Sequence, residues 1–149
     1  MKRNFWLFMT MGLLMVILGV ALWTFWMRTP SPSETLPATV SRDCAPWDGA
    51  AFTVSIPHES GLIIYISIWQ SPEFNFPRTF SFPDDTGQVG NAYILPELDP
   101  LETLSGRVTF QRVQVGMPVE GRFSLRSERG GVFEGQFQAE WDDQIIMCG

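Results

Sequence analysis

The chain has 149 residues, which suits one ordinary domain rather than two, and 45% of them are hydrophobic against only 17% charged. One histidine and two cysteines cannot complete a tetrahedral metal shell, so no zinc, haem or iron–sulfur group is expected and no cofactor is assigned. The formal net charge of −6 makes nucleic acid a poor partner.

The apolar excess is concentrated at the N-terminus. Residues 1–4 carry Lys2 and Arg3 and read as a cytoplasmic stub. Phe5 to Met27, FWLFMTMGLLMVILGVALWTFWM, contains no charge; as a helix rising ~1.5 Å per residue it would reach ~34 Å, enough for a hydrocarbon core of ~30 Å. Trp6 near one end, and Trp23 and Trp26 near the other, suit the two headgroup layers. The competing reading is a cleaved signal peptide with Gly19-Val20-Ala21 as its small-x-small site. Cleavage there would leave the apolar LWTFWM at the new terminus, so an uncleaved transmembrane anchor over residues 5–27 is expected, with the lipid bilayer as its partner. Basic residues before the run place the N-terminus in the cytoplasm and the rest of the chain outside it, periplasmic or extracellular.

Arg28 to Arg42, RTPSPSETLPATVSR, has three prolines among small polar residues and reads as an extended spacer over 28–42. An extracytoplasmic domain over 43–149 follows. Its cysteines, Cys44 and Cys148, bracket it. Outside the cytoplasm disulfides form and persist, and no C-x-x-C spacing suggests redox catalysis, so the pair is expected to be a structural disulfide.

Between the cysteines the hydrophobic period is two. AFTVSI alternates Phe52, Val54 and Ile56 against Thr53 and Ser55, and LIIYISIW is β-branched and aromatic through Trp69. In FNFPRTFSF the rings of Phe74, Phe76, Phe80 and Phe82 share one face of an extended chain, and Pro77 points to an edge or a break. GQVGNAYIL, SGRVTF, VEGRFSL and GVFEGQFQAEW continue the series, with Ile145 to Cys148 as a short last strand. Seven or eight strands at regular spacing, without a sustained helical period, predict an all-β antiparallel sandwich or small barrel.

Ser105-Gly106-Arg107-Val108, Glu120-Gly121-Arg122-Phe123 and Glu134-Gly135-Gln136-Phe137 repeat one pattern. If Glu128, Arg129 and Gly130 form a three-residue hairpin loop with Gly130 left-handed, Ser127 faces Gly131. Phe123 then opposes Gly135, Gly121 opposes Phe137, and each ring covers a glycine. Leu125, Phe133, Ala139 and Trp141 share that face, whereas Glu120, Arg122, Ser124, Arg126, Glu134, Gln136, Gln138 and Glu140 make the other one wet. A meander explains the pattern better than a duplicated ligand motif.

From Asp43 onward there are fifteen acidic residues, six arginines and no lysine. A solvated surface accounts for this, with attraction for cations or basic partners as the minority reading. Asp84-Asp85 and Asp142-Asp143 read as turn residues rather than a catalytic pair or a calcium loop. His58, Glu59 and Ser60 cannot meet as a triad from one turn, and His58 is expected to be an exposed hairpin residue. Trp47, Trp69, Trp141 and Tyr65 read as packing residues. No catalytic, cofactor or metal residue is assigned. The expected function is a non-enzymatic binding or accessory module for a protein, glycan or small ligand outside the membrane; the alternative is a small hydrolase using acidic residues. A cleft with facing carboxylates favours the hydrolase, and a filled core with an exposed aromatic patch favours binding.

Overall fold

A computed structural model describes residues 35–58, 61–71, 76–95, 101–144 and 146–148. The expected transmembrane segment 5–27 lies outside them. Eight strands follow one another: β1 (Thr35–Cys44), β2 (Ala50–Pro57), β3 (Ile63–Ile68), β4 (Arg78–Phe82), β5 (Gly90–Leu95), β6 (Glu102–Arg112), β7 (Val119–Ser127) and β8 (Val132–Trp141). Neighbouring strands run β6-β5-β3-β2-β1-β8-β7, and β7 pairs back onto β6, so seven strands close a barrel. Of the two expected architectures, the barrel is the one formed.

Closure depends on β1, which pairs antiparallel with β2 from Thr39↔Ser55 to Cys44↔Ala50 and parallel with β8 from Thr35↔Gln136 to Val40↔Trp141. The expected spacer over 28–42 is therefore corrected: the fold begins at Thr35, eight residues before Asp43. Leu36, Ala38 and Val40 turn toward the core while Pro37 and Thr39 are exposed. Pro37 has no N–H for a ladder, and it sits where β1 is paired on the β8 side only. A second correction concerns the C-terminus, since residues 146–148 form no strand. Ile145 lies outside the described residues. Cys148 is instead held beside β1 by its bond to Cys44, with Cα atoms 5.6 Å apart.

β4 is the eighth strand and lies outside the closed ring. β6 pairs with β5 at Glu102 and Thr103, then gives the same edge to β4 from Gly106 to Phe110. Gly106, at φ 140°, stands at that exchange, and a β-carbon there would collide with the Ser124 carbonyl. A corner of this kind needs a residue without a side chain. β4 is flanked by Pro77 and Pro83, each after a cis peptide bond, and occupies the end of the strand order as Pro77 suggested. Phe80 and Phe82 are buried and Phe76 packs against the core with them; Phe74 lies outside the described residues.

The β7–β8 register is the one expected from sequence. Gly121 pairs with Phe137 and Phe123 with Gly135. The turn has the expected form too: Ser127 N–H donates to Gly131 O at 2.9 Å, Gly130 N–H donates to Ser127 O at 3.1 Å, and Gly130 has φ 88°. Glu120, Arg122, Ser124, Arg126, Glu134, Gln136, Gln138 and Glu140 are all exposed.

The barrel interior is occupied by side chains, as small barrels permit. Phe110 is its hub, edge-on to Phe52 at 5.5 Å, Phe137 at 5.7 Å, Phe80 at 5.8 Å and Phe76 at 6.4 Å. Ile56, Ile64, Ile66, Ile68, Leu104 and Leu125 complete the filling. Such edge-to-face rings fix the packing in one arrangement, beyond the area they bury. With the inside filled in this way, the outer wall and the two ends are the surfaces left for binding.

Candidate functional site

The β1–β2 turn displays the one tryptophan that is more than half exposed among the described residues. Ala45 N–H donates to Gly49 O at 2.8 Å, and Asp48 N–H donates to Ala45 O at 2.9 Å. This is a three-residue loop of Pro46, Trp47 and Asp48, closed like the β7–β8 turn, and Trp47 is at its tip. The same bond pair joins His58 to Leu62 in the β2–β3 connection, where Gly61 takes φ 73°. Two loops thus use glycine at the left-handed position. The Trp47 loop uses Asp48, at φ 62°, the sole non-glycine residue with positive φ among those described. Aspartate tolerates that region better than most residues, though less well than glycine.

Trp47 is 53% exposed. Its ring lies edge-on to that of Trp69, with centroids 5.8 Å apart and planes at 86°. Trp69 follows β3, and its N–H donates to Val89 O at 2.9 Å, which fixes the platform under Trp47. The β6–β7 turn, with Val115 and Met117 exposed, and the C-terminal segment stand at the same barrel end. Asp142 N–H donates to Val40 O at 2.9 Å, continuing the β1–β8 ladder, and the chain then travels to Cys148 beside Cys44. Ile146 is exposed on the way, and Met147 is 89% exposed. Both disulfide partners expected from sequence therefore lie at this end, where they join the loop carrying Trp47 to the segment carrying Met147.

Below the loop, the outer wall holds a polar chain. Asp43 Oδ1 accepts from Cys44 N–H at 2.8 Å and Asp43 Oδ2 from Thr53 Oγ1 at 2.7 Å. Thr53 Oγ1 and Ser67 Oγ are 2.9 Å apart, both buried although they project outward from the barrel. Further along the wall Tyr65 stacks on Tyr93, with centroids 5.1 Å apart and planes at 14°. These two are direct cross-strand partners, so their stack is part of the sheet. Burial raises the Tyr93 pKa above 10.0, and the nearby Tyr65 and Asp43 add to the rise.

The remaining candidates are dispersed. His58 is half-buried at the base of its hairpin, edge-on to Phe133 at 5.4 Å, rather than exposed as expected. Glu59 and Ser60 lie outside the described residues. Asp84 organises its own loop: Oδ2 accepts from Thr86 Oγ1 at 2.8 Å and from the main-chain N–H groups of Val89 at 3.0 Å and Gln88 at 3.3 Å. Desolvation works to raise its pKa, yet these hydrogen bonds together with Gly87 outweigh it, and the group sits below the ordinary 3.8. Asp142 Oδ1 accepts from Gln144 N–H at 3.0 Å. Both aspartates are thus engaged in the local turn bonding expected of them. Among the described residues no three acidic, histidine or cysteine side chains gather around a point that could hold a metal ion.

Trp141 donates its indole N–H to Gln114 O at 2.9 Å, a packing role as expected. Trp47, like His58, is a residue that sequence reasoning misplaced. Its signal was present in APWDGA, where proline and Asp-Gly mark a turn, and a large aromatic residue at a turn tip has no core to enter. A comparison of the chain with family models, curated proteins and solved structures finds no match in any of the three.

Proposed function

We propose that this chain is a single-pass membrane protein, anchored through residues 5–27 with its N-terminus in the cytoplasm, whose barrel serves outside the cytoplasm as a non-enzymatic binding or accessory module. The observation that carries the binding reading is the exposed Trp47 loop at one end of a barrel filled by its own side chains. A disulfide joining residues 104 apart in sequence supports an oxidising compartment, since such bonds persist there and not in the cytosol. The uncharged run from Phe5 to Met27 supports the anchor. The hydrolase alternative draws no comparable support, because Asp84 Oδ2 and Asp142 Oδ1 accept from main-chain N–H groups of their own turns.

Site-specific photocrosslinking in cells tests this directly. A photoreactive residue in place of Trp47 should give a discrete adduct, and one in place of Glu134 on the β8 wall should not. The same chain should stay in the membrane fraction after alkaline wash. Equal adducts from both positions, or none from either, would remove the binding reading; a soluble chain would remove the anchor.

A further inference from the structure

The strand registers divide the outer wall of the barrel into a charged and an uncharged half. On one side, β7 and β8 turn Glu120, Arg122, Arg126, Glu134 and Glu140 to solvent. On the other, three successive rows of cross-strand partners carry no charge. Thr39, Ser55, Tyr65 and Tyr93 form the middle row, across β1, β2, β3 and β5. Ser41, Thr53, Ser67 and Asn91 lie to one side of it, and the apolar Pro57, Ile63 and Leu95 to the other. These residues alternate along their strands with the buried core residues, so they face away from the interior. Arg42 pairs with Phe52 and belongs to the inward register, beyond the point where β1 leaves β8. Asp43 is the one charged residue in the outward register of these four strands, and Cys44 N–H and Thr53 Oγ1 donate to its carboxylate at 2.8 and 2.7 Å.

We propose that the uncharged wall docks a second copy of this chain. The inference takes the shared membrane from the functional reading above and is independent of the Trp47 loop. Depletion of charge together with enrichment in tyrosine is what sets the centre of a protein interface apart from ordinary surface. The wall also tolerates loss of water, because Thr53 Oγ1 and Ser67 Oγ are already paired at 2.9 Å and Thr53 serves Asp43, so few donors would be left without partners. Charge selects the occupant. With fifteen acidic residues against six arginines from Asp43 onward, two copies repel one another, and this wall lets them meet without like charges in apposition. Four strands ~4.8 Å apart and three rows ~6.8 Å apart give a patch of ~400 Å² per copy, or ~800 Å² for the pair, below the ~1,200 Å² of a stable interface. Two copies anchored in one bilayer make up the difference, since confinement raises their effective concentration.

Photocrosslinking of the full chain in cells provides the test. A photoreactive residue in place of the exposed Asn91 should give an adduct of twice the chain's mass, in which mass spectrometry finds peptides of this chain alone. Thr39→Glu puts a carboxylate at an exposed position of the wall and should lower the yield of that adduct by about tenfold or more, since the charge meets its own copy. Thr39→Gln has nearly the same size without the charge and should leave the yield within about twofold, as should Gln138→Glu on the exposed wall of β8. Unchanged melting temperatures separate loss of pairing from loss of folding. An adduct with a different protein, no adduct from position 91, or an undiminished yield in Thr39→Glu would each overturn the proposal. The adduct expected from position 47 should survive Thr39→Glu, so that failure of the paired wall and failure of the Trp47 loop are read separately.

Discussion

Phe137 of β8 lies directly across from Gly121 of β7, so close that a β-carbon at Gly121 would stand 2.5 Å from the ring and 2.9 Å from the Thr109 carbonyl oxygen. The mirrored pair is looser, since a β-carbon at Gly135 would meet Phe123 at 3.3 Å. Phe137 cannot swing aside easily, being buried against Phe110 and Phe123. Gly121→Ala is therefore expected to destabilise the barrel by about 1–3 kcal/mol through overpacking. Gly135→Ala should change stability by less than about 1 kcal/mol, since strand alanine offsets part of the crowding through lower chain entropy. Urea unfolding of the two variants checks the order; equal midpoints would contradict it.

Replacing Cys44 and Cys148 by serine removes the crosslink between segments 104 residues apart in sequence. The chain-entropy account sets the loss at up to about 4–5 kcal/mol. The barrel should still fold, because β1 keeps its ladders to β2 and β8 without the bond. The expected outcome is a retained β-type circular dichroism spectrum with a lower melting temperature, and faster hydrogen exchange at residues 142–148 than elsewhere.

Asp48→Gly relieves a left-handed aspartate in a loop whose counterparts carry Gly61 and Gly130 at that place. It should raise stability by up to about 1 kcal/mol, whereas Asp48→Ala should lower it. If Asp48 is kept for binding, the glycine variant will be the more stable protein and will give the weaker crosslink from a photoreactive residue at position 47. Thermal melts and crosslinking of the same variant read both.

Asp84 gives the acid side of the stability profile a specific origin. Its folded pKa lies below 3.8, so its contribution is fully present above that value and is lost as pH falls through the lower folded one. Asp84→Asn retains a carbonyl acceptor for the Val89 and Gln88 N–H groups but does not titrate. Stability measured from neutral pH down through the carboxylate range should therefore fall less steeply in the variant; identical slopes would show that Asp84 is not responsible.

The sequence disclosed the parts of this fold that depend on alternation and missed those that depend on partners. Phe123, Gly135, Gly121 and Phe137 could be paired because a hairpin loop fixes register and period two fixes the face. Which glycine is the tighter one was not readable, since it depends on how deep each ring sits. β1 was hidden because Leu36, Ala38 and Val40 are a thin apolar stripe interrupted by Pro37, and its strand character comes from β2 and β8 on either side. The Ile145–Cys148 stretch erred the other way: it is apolar enough for a strand, yet residues 146–148 form none and Cys148 is held by the disulfide. The two cysteines were legible from position alone, whereas Trp47 resembled every other tryptophan until its loop was seen to leave the core.

The seam between β1 and β8 also orders events in time. Of the eight described strands β1 is synthesised first and β8 last, and they are neighbours in the barrel. Until β8 emerges, β1 and β7 each keep one open flank, so ring closure has to wait for it. Contacts this distant in sequence make folding slow for a domain of this size. A nascent or truncated form lacking β8 would display two unpaired strand borders, which are templates for self-association. Closure of the ring therefore depends on β8, and chains truncated before Val132 should aggregate where the full chain does not.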